Sequence, residues 1–149
     1  MGLFDRVRLS KGSKNEVALG PAEAFAGIAL IVIGSDGHIA DSEVELLIPL
    51  LRRMHLFRSY PSEVLQRMFD KLVGILRRQG IDVLMQAAIQ ALPHDLYDTV
   101  FAVATDLILA DGEVTEEEEN LLSSLCEALE ISDEIAQEII RVMLIKNKG

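Results

Sequence analysis

From Pro21 onward apolar residues recur three and four apart almost without interruption, and no clean two-residue alternation lasts more than a few positions. The spacing predicts helices at about 21–35, 41–55, 61–79, 81–91, 93–110, 115–130 and 132–146, hence an all-α, compact bundle of about seven helices. Pro61 and Pro93 suit first-turn positions, where a missing backbone N–H costs nothing. Gly37, Gly80 and Gly112 suit helix ends, and Ser132 ahead of Asp133 and Glu134 reads as an N-cap. Pro49 interrupts the 41–55 run and predicts a kink there. Ahead of these helices, Leu3, Phe4, Val7 and Leu9 form a short amphipathic segment, and residues 10–20 read as a polar linker. The expected organisation is residues 1–20 as segment and linker, and 21–149 as one helical domain.

Displacing the sequence against itself by 75 residues lays 28–51 over 103–126 and exposes a repeat. The identical pairs are Ala29/Ala104, Ile33/Ile108, Asp36/Asp111, Gly37/Gly112, Glu43/Glu118, Leu46/Leu121, Leu47/Leu122 and Leu50/Leu125. Ile39/Val114 is conservative. The shared unit is an apolar helix, then Asp-Gly-x-[Ile/Val]-x-x-x-Glu, then a second amphipathic helix. A duplicated helix-turn-helix unit predicts two halves about a pseudo-twofold axis, with residues 56–92 supplying the helices between them.

Composition adds a charge pattern. The 149 residues are 50% hydrophobic and carry a formal net charge of −10, from 24 acids and 14 bases. Such a chain collapses around one core, and its acidity argues against a nucleic-acid backbone as the main partner. The charge is divided unevenly. Residues 1–80 hold 11 Lys/Arg and 9 Asp/Glu; residues 81–149 hold 3 and 15. Bases gather at Arg6, Arg8, Lys11 and Lys14 and again from Arg52 to Arg78, whereas acids are densest between Asp106 and Glu119. A face ready for a cation or a basic partner is one reading; a well-solvated helical face is the plainer one.

The only cysteine is Cys126, so no intrachain disulfide is possible and a cytosolic location is expected. Set among Leu122, Leu125 and Leu129, it reads as a small core residue. The opening lacks a secretory apolar region, and Arg6 stands where a myristoylation signal needs Ser or Thr. The longest uncharged apolar run, between Glu23 and Asp36, falls short of the ~20 residues a membrane span needs. His38, His55 and His94 lack zinc-site spacing, and His38 reads as a turn residue facing solvent. No phosphate loop, nucleophile elbow or base-stacking platform is legible, and the chain reads as non-enzymatic. Asp106, inside an apolar stretch, is either partly buried and paired or turned to solvent.

The repeated motif supports two readings. In the structural one, glycine closes a helix, Thr115 and Glu118 form a capping box, and Ile39 and Val114 plug the turns into the core. Ala40 replaces the capping Thr in the first copy, so Asp41 or Glu43 must do more there. In the functional one, the motif is half of a calcium-binding loop, with Gly37 at the sixth position, Asp36 at the fifth and Glu43 at the twelfth. The first and third positions are Val32 and Gly34 in one copy, Leu107 and Leu109 in the other, which supply no side-chain oxygen, so a true EF-hand is rejected. A weaker site remains if the two turns pool Asp36, Glu43, Asp111 and Glu118 around Mg²⁺, Ca²⁺ or Mn²⁺.

The opening Met1-Gly2-Leu3-Phe4-Asp5-Arg6-Val7, with the turns from Ser35 to Glu43 and from Ala110 to Glu118, resembles the TerB-like tellurite-resistance family. That family is related to the N-terminal domain of some DnaJ-type membrane-associated chaperones. The resemblance implies a helical bundle, a role in bacterial tellurite or chemical-stress resistance, and a cation site at Asp36, Glu43, Asp111 and Glu118. It also implies membrane-associated stress-response partners, with the protein cytoplasmic or at the inner face of the membrane and peripheral association open to it. Ala40 departs from the capping residue usual there, and the basic 52–78 segment departs from a uniformly acidic surface. The competing expectation is a helical adaptor that docks on membrane-associated or other proteins, its turns purely structural.

Overall fold

A computed structural model describes residues 17–34, 39–110 and 112–148. Among them the chain forms seven α-helices and no strand: α1 Pro21–Ile33, α2 Asp41–Arg52, α3 Ser62–Gln79, α4 Ile81–Ala91, α5 Tyr97–Leu109, α6 Glu116–Ala128 and α7 Asp133–Lys146. Short 3-10 turns at His55–Phe57 and His94–Leu96 lead into α3 and α5.

α1 is the hub. Ten of its thirteen residues are buried, many of them Ala or Gly, so neighbouring backbones can approach closely. It packs against α2, α3, α4 and α5, with Gly27 facing Leu72, Leu84 and Ala88. Phe57, from the 3-10 turn, closes on Phe25 of α1 edge to face, with ring centroids 6.0 Å apart. Val17 and Leu19, ahead of α1, already pack against this core. α5 is the second hub, carrying α7 on one side and α6 on another. Its Thr105 hydroxyl, fully buried, donates to the Phe101 carbonyl at 2.8 Å.

All seven expected helices form, and their ends show why some start late. The run expected from residue 93 becomes helical only at Tyr97. Pro93 has φ −60 and ψ 141, an extended geometry, and a 3-10 turn intervenes. Pro61 likewise sits at the N-cap rather than in the first turn. Gly80, at φ +91, ends α3 and starts α4 in a conformation that L side chains rarely adopt. Pro49 lies inside α2 with its exposed ring on the solvent side. There the Glu45 carbonyl that loses its N–H partner can turn to water. Gly37 lies outside the described residues.

A groove between the sixth and seventh helices

The motif glutamates are held at helix starts. Glu118 Oε1 accepts from the Thr115 N–H at 2.9 Å, and Thr115 Oγ1 accepts from the Glu118 N–H at 3.1 Å, a complete capping box. In the first copy Glu43 Oε1 accepts from the Ala40 N–H at 3.1 Å, but Ala40 has no oxygen to return. Between Asp41 and Glu43, then, it is Glu43 that takes over the capping. Glu23 does the same for Gly20 ahead of α1, at 3.0 Å, and also accepts from Lys71 Nζ at 2.7 Å. Burial of Glu23 favours its neutral form, but the hydrogen bonds from Lys71 and Gly20, with the Lys71 charge, outweigh that and hold its pKa below the usual value.

Of the four expected metal ligands, Glu43 and Glu118 each serve their own helix start, while Asp36 and Asp111 lie outside the described residues, as does His38. Among the described residues no group of three or more His, Cys, Asp or Glu side chains is arranged to hold a metal. The apolar plugs part company. Ile39 packs against the core over Gly34, where any side chain would collide with it. Val114 is 37% exposed, contrary to the expectation that it plugs the turn into the core; Leu109 stands where the first copy has Gly34.

The larger feature was not legible in the motif. α6 and α7 are joined by a short turn yet scarcely pack on each other, and both lean on α5. Between them opens a groove of about 840 Å³. Phe101 of α5 lies at its floor, and Leu122, Cys126, Ile131, Ala136 and Ile140 supply apolar walls. Leu144, 53% exposed, lies one turn beyond Ile140 on the same side of α7. Glu119, Glu127, Glu130 and Asp133 rim the groove, all exposed, and among the described residues no ion pair engages them.

The α6 wall has a counterpart. Moving back 75 residues, Glu119, Leu122, Ser123 and Cys126 become Val44, Leu47, Ile48 and Leu51, the four buried residues of α2. One helix face is thus sunk in the core in the first copy and lines an open groove in the second. The space between α2 and the helix after it, α3, is only about 350 Å³.

The corner joining α6 to α7 has an unusual backbone. Glu130 has φ +55, the only non-glycine with positive φ among the described residues. The turn is closed by the Ile131 N–H donating to the Cys126 carbonyl at 3.0 Å. Cys126, half-buried rather than fully buried, donates its thiol to the Ile131 carbonyl at 3.3 Å. Burial, then the Asp133 carboxylate, push the thiol pKa up, which favours the protonated thiol. At the other end of α7, Asp106 resolves as partly buried and paired: it accepts from Asn147 Nδ2 at 2.7 Å and Lys146 Nζ at 3.2 Å, tying α7 to α5.

Among the described residues no helix is long and apolar enough to cross a membrane. Comparisons of the chain with protein-family models, with characterised proteins and with solved structures found no match.

Proposed function

We propose that the chain is a TerB-like, non-enzymatic adaptor of bacterial chemical-stress resistance, whose α6–α7 groove receives a basic, apolar-faced segment of a partner. The observation that carries this reading is the pairing of apolar walls over Phe101 with four acids at the rim that no ion pair engages among the described residues. Apolar side chains gain by leaving water for such a floor, and Lys or Arg beside them meet Glu119, Glu127, Glu130 and Asp133 at the exposed edge. The backbone at Glu130 supports it further. Glycine is the low-energy choice at positive φ, so a glutamate held there at a cost of about 1 kcal/mol is a reason to look for a role for its charge. A membrane-associated partner, met in the cytoplasm or at the inner membrane face, fits this charge arrangement.

Calorimetric titration of the full chain with a synthetic helical peptide of leucines on one face and lysines on the other tests the reading. Binding that weakens with salt, and by about tenfold or more in Glu127→Lys/Glu130→Lys, is expected. An acidic-faced peptide that binds as well would overturn it.

A divalent-cation site formed by Asp36, Glu43, Asp111 and Glu118 is the second reading. It draws support from the two capping glutamates, which put one carboxylate at the same place in each copy of the turn, and from the mutual packing of α1 and α5, the first helices of the two units. That packing fits halves related by a pseudo-twofold axis. Titration with Mg²⁺, Ca²⁺ and Mn²⁺ of the natural chain and of Asp36→Ala/Asp111→Ala decides it: no heat from the natural chain removes the site.

A further inference from the structure

The sequence itself contains a segment of the chemistry that the groove fits. Leu3, Phe4 and Val7 stand close together in the sequence at a spacing that suits one apolar face, with Arg6 and Arg8 beside them and Lys11 and Lys14 following. These residues lie ahead of Val17, outside the described part of the chain. We propose that this segment of the same molecule is the groove's resident occupant, so that an external partner must displace it. The inference rests on the adaptor reading above and deepens it by naming what covers the groove at rest.

Three observations carry it. Charge is complementary: residues 1–16 hold four bases and two acids, and the groove rim holds four acids that no ion pair engages among the described residues. The apolar sets match in kind, since Leu3, Phe4 and Val7 would meet Leu122, Ile131, Ala136 and Ile140 over Phe101. The tether is of the right order: the residues from Phe4 to Val17 span up to about 44 Å when extended, comparable with the width of roughly 36 Å of a domain of this size. Tethering also raises the local concentration of the segment to about the millimolar range, so a weak contact suffices to keep the groove filled.

Cys126 makes the test direct, because it is the chain's only cysteine and lies in the groove. Its rate of modification by a neutral thiol reagent, at one fixed pH, is compared in the full natural chain and in Phe4→Ser. A segment docked about 90% of the time slows the reaction about tenfold, and Phe4→Ser relieves most of that protection. In the Phe4→Cys chain, mild oxidation with copper–phenanthroline should give an intrachain disulfide to Cys126, seen as a monomer without free thiol.

Equal rates in the two chains with no intrachain disulfide would overturn the inference, and so would a disulfide that forms only between two molecules. The adaptor reading is judged separately. The lysine–leucine peptide added to Phe4→Ser protects Cys126 if the groove is a partner site, whether or not the chain's own segment occupies it.

Discussion

In α2 the face formed by Val44, Leu47, Ile48 and Leu51 is buried, whereas the matching face of α6, Glu119, Leu122, Ser123 and Cys126, lines an open groove. α1 buries ten residues and α5 five; α2 buries four and α6 only Leu125. The two segments keep the same order of elements, but the second has Glu119 and Ser123 where the first has the apolar Val44 and Ile48 on this face. Burying that face in α6 would strand the Glu119 charge and the Ser123 hydroxyl away from water, which costs more than the remaining Leu122 and Cys126 return. α6 stays apart from α7, and the gap between them remains open.

The comparison breaks first on stability. Leu47→Ala, at a site 3% exposed, is expected to cost about 3 kcal/mol, while Leu122→Ala at the groove wall costs under about 1 kcal/mol. Urea unfolding midpoints of the two variants measure the gap, and equal losses would mean that the groove is closed in solution. Rewriting the wall to the first copy's residues, with Glu119→Val, Ser123→Ile and Cys126→Leu together, should weaken binding of the basic peptide by more than about tenfold. The same variant should lose no stability.

Glu130→Gly separates strain from charge. It relieves the positive φ and should raise stability by about 1 kcal/mol, yet it removes a rim charge and should weaken the peptide. Opposite signs in thermal melting and in titration are the expected pair.

Exchanging caps tests the copies at a finer scale. Thr115→Ala reduces the second box to the half-box of the first and should cost about 0.5–1 kcal/mol, and Ala40→Thr should return a similar amount to α2. Both are read by unfolding.

The smallest effect is pH-dependent and belongs to the well-packed half. The folded pKa of Glu23 lies below its ordinary 4.5, so its stabilisation is whole above that pH and drains away as pH falls through the lowered value. Glu23→Gln should be less stable at pH 7, by under about 1 kcal/mol, and the difference should vanish in acid.

Much of the fold is legible in the sequence because helical periodicity is strong and the caps are local. Ser132 accepts from the Ile135 N–H, and Thr115 pairs with Glu118, as residue types three apart dictate. What periodicity hides is the depth to which each face sinks. Leu46 and Leu121 are an identical pair, yet Leu46 is 77% exposed and Leu121 packs partly against the core. The seat of Ile39 depends on Gly34, a residue that the motif pattern does not include, while Val114 in the other copy is exposed. The groove was hidden for the same reason: Leu122 and Cys126 read as core until α7 is placed. One signal for it was present, namely Glu119 and Ser123 standing where the first copy has Val44 and Ile48.

The most direct test of this division is an NMR titration of the uniformly labelled chain with the lysine–leucine peptide. Amide shifts confined to α6, the Glu130 corner and the first turns of α7, with α2 unmoved, are what the account predicts. Shifts on α2 equal to those on α6, or none between Glu119 and Ile140, would contradict it.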